Sequence, residues 1–554
     1  MQLKIKQKPI NVFLFKTQNT ILSATLILSL ASGISAILGF VKTRLLASNF
    51  GISNELAVFY TADRIPNLIY SVLVVGAIST VFIPVFTGLL KVDKEEAFNM
   101  ASSIINATLS FFIFIGIIMF IFAPQIIKLL SVGNFTSKEI SLGVDLMRIM
   151  LASQTLLVAG SLSTSILQSF SFFAIPALAP VMYNLGMIGG IFFLSKSMGI
   201  YGPAVGVAIG SVLHLGIQLP LLKKTGFRFS PSLNLKNSNF KKVTVLVPPR
   251  IVSVLISNLT QTINNSLAIL VSTSSVIYLK FADQLQTLPI TLFGISMASA
   301  SLPTLSAEGV EEDKEKYKET FLTSLHQMMY LVMPVSMILL ILRVPVVRIV
   351  YGVHNFPWEA TIKTAHTLAF FSIAIFAQSA NYLITRAYYA LKDTLTPVIV
   401  NISTAIINVL VSLTFVTHLK FGVWSIAFAY SITSLIDMGV LLFLLDRKVG
   451  GFDKKRLIIP FTKIAWSTAF MGIMLYIPMR FLDEFVFDTT RTINLIALTI
   501  TAGVIGMSAY LLITSLLKVE EVELFYKLLK KVRVSKTNLT TESINLVETE
   551  TESL

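Results

Sequence analysis

The chain has 554 residues, of which 54% are hydrophobic and only 13% charged, with a mean hydropathy of +0.77; these values lie outside the range of soluble domains. Basic residues outnumber acidic ones by 44 to 29, and there is no cysteine, which excludes disulfides, thiolate metal sites and cysteine nucleophiles. The five histidines (His214, His326, His354, His366, His418) show no metal-binding spacing and read as packing or interface residues, so neither a metal nor a cofactor is expected.

Several long windows carry no Lys, Arg, Asp or Glu: Ile21–Phe40, Ala97–Ile127, Ile149–Ser195, Ser197–Leu222, Ile251–Leu279, Gln284–Ala307, Thr394–Leu419 and Thr492–Leu517. A bilayer core takes roughly 20 such residues per helix, so the fold class is all-α, a polytopic membrane protein. In chain order, spans are predicted near residues 19–46, 55–90, 98–127, 142–168, 174–195, 201–222, 243–272, 276–306, 320–342, 360–391, 394–418, 422–445, 460–481 and 491–517. Ile21–Phe40 lacks a cleavage pattern and is too long for a signal-peptide core, so it reads as a retained first helix.

Fourteen spans put both termini on one side. The N-terminal arm, Lys223–Lys242, Arg447–Arg456 and the segment after Leu517 hold the basic clusters, and the same count places all four on that side. Short basic loops mark the cytoplasmic face and have anionic headgroups, not nucleic acid, as neighbours. The organisation expected is an N-terminal six-helix lobe (1–222), a basic cytoplasmic linker (223–242), a C-terminal six-helix lobe (243–445) and two additional helices (446–517). A cytoplasmic tail (518–554) follows, amphipathic over Val519–Val534 and Thr/Glu-rich from Asn538.

The two lobes echo each other. Ala62-Asp63-Arg64 followed by Pro84 recurs as Ala282-Asp283-Gln284 followed by Pro303. Pro180-Val181 with Asn184 recurs as Pro397-Val398 with Asn401, and Gly202 recurs as Gly422; the offsets are 220, 217 and 220 residues. A repeat of six helices relates the lobes about an axis along the membrane normal and places a substrate site between them.

Charges inside spans cost at least ~2.5–3.5 kcal/mol each on insertion scales and need a reason. Lys42, Arg44, Asp63, Arg64, Arg250, Lys280 and Asp283, with Asn67, form the candidate substrate-binding set. Arg250 follows Pro248-Pro249 and serves either the cavity or the helix entrance. Asp145 and Arg148 read as an interfacial pair, and Arg386 and Lys392 as snorkelling residues. A basic cavity suits an anionic headgroup such as pyrophosphate. Gly39, Pro66, Gly76, Pro289 and Gly294 interrupt the spans that carry these charges and are candidate hinges. No phosphate loop, nucleophile elbow or acidic cluster in a long loop is present, so no enzymatic activity is expected.

Two stretches resemble a known family. Ser35–Gly51 (SAILGFVKTRLLASNFG) with Asp63–Pro84 is similar to the opening of the MurJ/MviN lipid II flippases, whose pattern is S-R-x-L-G-F-x-R-D/E, then P-N-L-x-R, G-A-x-S and F-x-P. Pro249–Pro303 resembles their seventh and eighth helices, including Y-x-x-F-A-D-x-L. The resemblance implies a multidrug/oligosaccharidyl-lipid/polysaccharide exporter fold with two lobes and two extra helices that form a groove for the lipid tail. It also implies movement of lipid II from the inner to the outer leaflet for peptidoglycan and cell-wall synthesis. The chain is expected to act as a monomer in the bacterial cytoplasmic membrane, driven by a coupling ion or the membrane potential. Family arginines are replaced by Ala36, Tyr70 and Gln284, and an acid by Ala57; Arg44, Arg64 and Lys280 lie nearby. Some members resemble sodium-coupled carriers with an acid in the seventh helix, where Asn264 stands here. Alternative readings are export of another polyprenol-linked glycan or of cationic drugs, and a non-transporting scaffold in the cell-wall synthesis complex.

Overall fold

The structure, a computed structural model, describes residues 21–72, 74, 79–231, 248–311, 314–353, 355–489 and 491–522. Gly76, most of the basic linker and the tail beyond residue 522 lie outside the described residues.

Every regular element described is helical. The chain runs α1 (Ile21–Phe50), α2 (Asn54–Tyr70), α3 (Ser79–Leu90), α4 (Lys94–Ile121), α5 (Ala123–Leu130), α6 (Ser137–Ser169), α7 (Ala174–Gly189), α8 (Tyr201–Gly216) and α9 (Leu219–Lys224). It continues with α10 (Pro248–Val271), α11 (Ser275–Pro289), α12 (Ser296–Glu308), α13 (Glu315–Ile341), α14 (Arg343–Tyr351) and α15 (Trp358–Ala390). The last elements are α16 (Leu395–Leu413), α17 (Trp424–Lys448), α18 (Lys454–Phe485) and α19 (Thr492–Leu516). Among the described residues thirteen helices are long and apolar enough to cross a membrane, and they coincide with every predicted span except the second. That span, read from sequence as continuous over 55–90, stops as an α-helix at Tyr70 and resumes at Ser79.

The breaks follow the repeat. Ser71, Val72 and Val74 take π-helical backbone after α2, and Ile290–Ile295 does so after Pro289 at the end of α11. Gly190–Leu194 and Thr414–His418 extend α7 and α16 in the same way. A π turn leaves one residue out of the regular ladder and marks a bend, often at a functional site. The short helices α5 and α14 are a further repeat pair. Each follows a single residue outside the helix, Phe122 or Leu342, and each has a proline in its first turn, Pro124 or Pro345.

One compact unit comprises the chain to Leu285 with Val350–Leu368 and Val398–Thr433; a second comprises Gln286–Ile349, Ala369–Pro397 and the chain from Ser434. Within the first unit, α7 and α8 touch backbone to backbone. A Cβ on Gly190 would lie 2.3 Å from Gly206 Cα, and one on Gly186 would lie 2.4 Å from Gly210 Cα. Lipid gives no hydrophobic drive for helix association, so close backbone approach through small residues replaces it. His214 of α8 fills the space over Gly160 of α6, and Gln218 Nε2 donates to Gly160 O at 3.1 Å.

In the second unit, tyrosine hydroxyls tie helices to carbonyls of their neighbours: Tyr317 to Ala387 O (2.7 Å), Tyr388 to Leu441 O (2.9 Å) and Tyr510 to Tyr330 O (2.9 Å). The additional helices α18 and α19 pack on each other, Gly506 against Leu475, and on α13, Gly472 against Met337. Large side chains such as Trp466 (74% exposed) and Phe114 (63% exposed) point outward, as lipid-facing positions require.

The turn between α15 and α16 lies outside the spans. Asp393 caps α16 by accepting from Leu395 N (3.1 Å) and Thr396 N (3.0 Å), and it pairs with Lys448 at the end of α17. Burial opposes ionisation of Asp393, but the Lys448 ammonium and the Thr396 hydrogen bonds outweigh it and hold the carboxyl at about 2, below its ordinary 3.8. A depressed folded value contributes stability above the unfolded value, lost as pH falls through the folded one. Asp393→Asn therefore lowers the melting temperature of the detergent-solubilised protein at pH 7, and its difference from wild type shrinks between pH 4 and about pH 2. In the same assay Gly190→Ala costs about 1–3 kcal/mol through overpacking. Gly39→Ala, whose Cβ meets nothing within 4 Å, is neutral or stabilising.

Candidate functional site

Three helices of the first unit bring charge to one depth. Lys42 lies eight residues before the end of α1, Asp63 nine after the start of α2, and Lys280 and Asp283 five and eight after the start of α11. At about 1.5 Å per residue, all stand about 8–14 Å along their helices from those ends. Lys42 lies in the field of Lys280 and Asp63; Arg64 lies in that of Asp63 and Asp283, and Lys280 in that of Arg64, Asp283 and Asp63. All five side chains are half-buried. Three cations against two carboxylates leave this cluster with one net positive charge.

Hydrogen bonds between helices set this geometry. Arg64 Nη1 donates to Gln261 Oε1 of α10 at 3.2 Å, and Tyr70 OH shares a proton with Ser161 Oγ of α6 at 2.8 Å. Thr43 Oγ1 donates to Gln284 Oε1 at 2.7 Å, joining α1 to α11, and Gln284 Nε2 donates to Gly39 O at 3.2 Å. One turn on from Asp63, Asn67 Nδ2 donates to Asp63 Oδ2 at 3.4 Å. Tyr60 stands edge-on to Phe281, centroids 6.4 Å apart, and both Tyr60 and Tyr183 feel the Asp63 carboxylate. Gln261, Tyr60, Tyr183 and Thr43 were not singled out by sequence. Asn258, Gln261 and Asn264 at three-residue spacing were the signal for a polar face on α10.

Lys42, Asp63, Arg64, Asn67, Lys280 and Asp283 are thus brought together, whereas Arg44 is not. Arg44 is exposed and donates to Val350 O at 3.0 Å. The Arg250 side chain lies outside the described residues. Of the candidate hinges, Pro66 is buried within α2 and Pro289 directly precedes a π turn. Gly294 sits where a Cβ would come 2.8 Å from Ser379 Cβ, so close packing alone requires glycine there. Asp145 and Arg148 part company: Asp145 accepts from Tyr201 OH at 3.0 Å, and Arg148 lies over the Phe120 ring, 4.5 Å from its centroid.

Asn264 Nδ2 donates to Asn408 Oδ1 at 2.8 Å, and Asn408 Nδ2 donates to Thr433 Oγ1 at 3.2 Å. A sodium ion takes several oxygen lone pairs, normally with a carboxylate among them. This neutral trio spends its groups on one another, leaves only Asn264 Oδ1 unpartnered, and does not fit such an ion.

Helical spans around a basic polar cluster define a polytopic membrane protein. Residues 46–512 match the family described as lipid II flippase MurJ, and the chain belongs to that family. A probable lipid II flippase MurJ from Buchnera aphidicola subsp. Acyrthosiphon pisum is 27% identical over 506 residues, covering 90% of this chain and 98% of that one. A solved lipid II flippase MurJ in an inward closed conformation superposes with a TM-score of 0.74 at 25% identity, covering 88% and 98% of the two chains. An inward-facing multidrug resistance MATE family transporter of the MOP superfamily, 15% identical with a TM-score of 0.64 over 77% of this chain and 98% of its own, shares the fold.

Arg44 binds the segment that starts at Val350 and packs beside the charges. Asn355 Nδ2 donates to Ser48 O at 2.7 Å, Tyr351 stacks on Phe281 at 4.4 Å, and Gly51 (φ +57°) leaves only 2.1 Å between a built Cβ and Asn355 O. Gly51→Ala is expected to cost about 1–3 kcal/mol through strain and overlap, and Asn355→Ala about 1 kcal/mol; thermal unfolding in detergent measures both.

Proposed function

We propose that this protein is a lipid II flippase. It moves undecaprenyl-pyrophosphate-linked peptidoglycan precursor from the inner to the outer leaflet of the bacterial cytoplasmic membrane by alternating access, as a monomer with both termini cytoplasmic. The observation that carries the reading is the net positive cluster of Lys42, Arg64 and Lys280 with Asp63 and Asp283, about one-third of the way through the spans. Ammonium and guanidinium donors there suit a pyrophosphate, and an excess of cations disfavours the cationic cargo of a drug exporter. Family membership over residues 46–512 supports the same cargo.

The lobes 1–222 and 243–445 would carry the alternation, bending at Gly39, Pro66, Gly76, Pro289 and Gly294, and the helices within 446–517 would guide the lipid tail. With a neutral trio at Asn264, the membrane potential is the driving force that fits best. An anion moving outward travels toward the positive side and gains about 2.3 kcal/mol per charge per 100 mV.

Expression in a bacterium depleted of its own flippase tests this. Rescue of growth, with lipid II reaching the outer leaflet, is expected of the wild-type chain; no rescue by a stably inserted protein overturns the cargo. Lys42→Ala and Arg64→Ala should each lower transport by about tenfold to a hundredfold, as expected for a lost charged hydrogen bond. Arg148→Ala, whose guanidinium lies on Phe120, should leave transport intact. Unchanged transport in both cluster variants would overturn the cluster as the headgroup site.

A further inference from the structure

Lys42 and Lys280 stand on different helices within each other's field. Like charges in a low-dielectric span repel far more than in water, and at this depth a neutral contact joins α1 to α11. The residues next in sequence to the charged ones make it: Thr43 follows Lys42, and Gln284 follows Asp283. The amide orientation is dictated by its partners, because Oε1 accepts the Thr43 hydroxyl at 2.7 Å while Nε2 faces the Gly39 carbonyl at 3.2 Å. Thr43 is 3% exposed, so its bond to Gln284 is shielded from competing water.

The contact is not one the fold must have. Thr43 Oγ1 also lies 3.0 Å from Gly39 O, the carbonyl one turn back on its own helix. Without Gln284 the hydroxyl falls back on that carbonyl and is not orphaned in the membrane. What the contact does set is the register of α1 on α11, and with it the spacing of the two ammonium groups.

We propose that Thr43 and Gln284 are positioning residues that clamp Lys42 and Lys280 side by side as a single binding pair for the pyrophosphate of the cargo; this rests on the reading of the protein as a carrier of a pyrophosphate-linked lipid. The clamp is neutral and leaves the net positive charge of the cluster unchanged. The family pattern has an acid where Thr43 stands and an arginine where Gln284 stands, so an opposite-charge pair at these positions has the complementarity to make the same contact.

The test uses the purified full-length chain in nanodiscs, with inorganic pyrophosphate as probe at constant ionic strength, reading affinity and ligand-free melting temperature together. Wild type binds pyrophosphate. Gln284→Leu and Thr43→Val each weaken binding by about fivefold to tenfold, the range one hydrogen bond carries. The double variant is no worse than the more severe single, because both singles remove one shared bond. Thr43→Asp alone weakens binding, and Gln284→Arg added to it recovers affinity to within about threefold of wild type.

Singles that lower the melting temperature but bind pyrophosphate normally would make the contact merely structural and overturn the proposal. Additive losses in the double variant, or a wild-type chain that does not bind pyrophosphate, overturn it as well. Thr43→Val is the milder change and keeps the question open to measurement if Gln284→Leu fails to fold. Failure of the wild-type chain to rescue a flippase-depleted cell, with pyrophosphate binding intact, would instead remove lipid II as cargo and leave the clamp standing.

Discussion

The structure depends on the cost of leaving a polar group without a partner inside a bilayer. Every backbone amide in the hydrocarbon must bond within its own segment, which leaves helices as the regular structure for a chain of this composition. Side chains obey the same constraint. Ser and Thr hydroxyls on the spans turn back to the carbonyl four residues earlier, as Thr367 does to Lys363 O and Ser379 to Ile375 O. Charged residues cannot be satisfied in that way. Lys42, Asp63, Arg64, Lys280 and Asp283 therefore have to be placed in one another's company, and where they gather is where an ionic cargo can be received.

The same constraint explains the breaks in the helices. A proline in a span releases a carbonyl, and π turns and nearby polar side chains absorb the consequence. Paired breaks at Ser71 and Ile290, and at Gly190 and Thr414, show that the repeat shapes the backbone as well as the apolar pattern. Bends that recur in corresponding helices are what a carrier that opens alternately to either side requires. Where helices must not bend apart, small residues close the gap, as Gly186 and Gly190 do against Gly210 and Gly206.

Departures from the family pattern acquire a physical meaning once side chains are placed. Gln284, at the position of a family arginine, does not leave a hole; it bonds Thr43 and the Gly39 carbonyl. Tyr70, at the position of another, bonds Ser161. Lys42 keeps a basic position of the pattern, and Arg64 and Lys280 supply positive charge from neighbouring positions, so the cluster is basic with a partly different set of residues. Arg44, adjacent in sequence and attractive on that ground, serves instead to hold Val350.

Much was legible in the sequence by itself. The all-helical class, thirteen of the fourteen span positions and the charged positions within the spans all follow from hydropathy and charge, because a charge-free run of twenty residues has few other physical solutions. Family membership was legible in short motifs around Lys42, Pro66 and Ala282. That Arg44 stands apart from the other charged candidates was not legible, because Lys42 and Arg44 are only two residues apart on one helix. Nor were the interhelical partners: the bonds from Thr43 to Gln284 and from Arg64 to Gln261 join residues 241 and 197 positions apart. Periodicity tells which face of a helix is polar. Only packing decides which polar face it meets, and therefore which residues form the site.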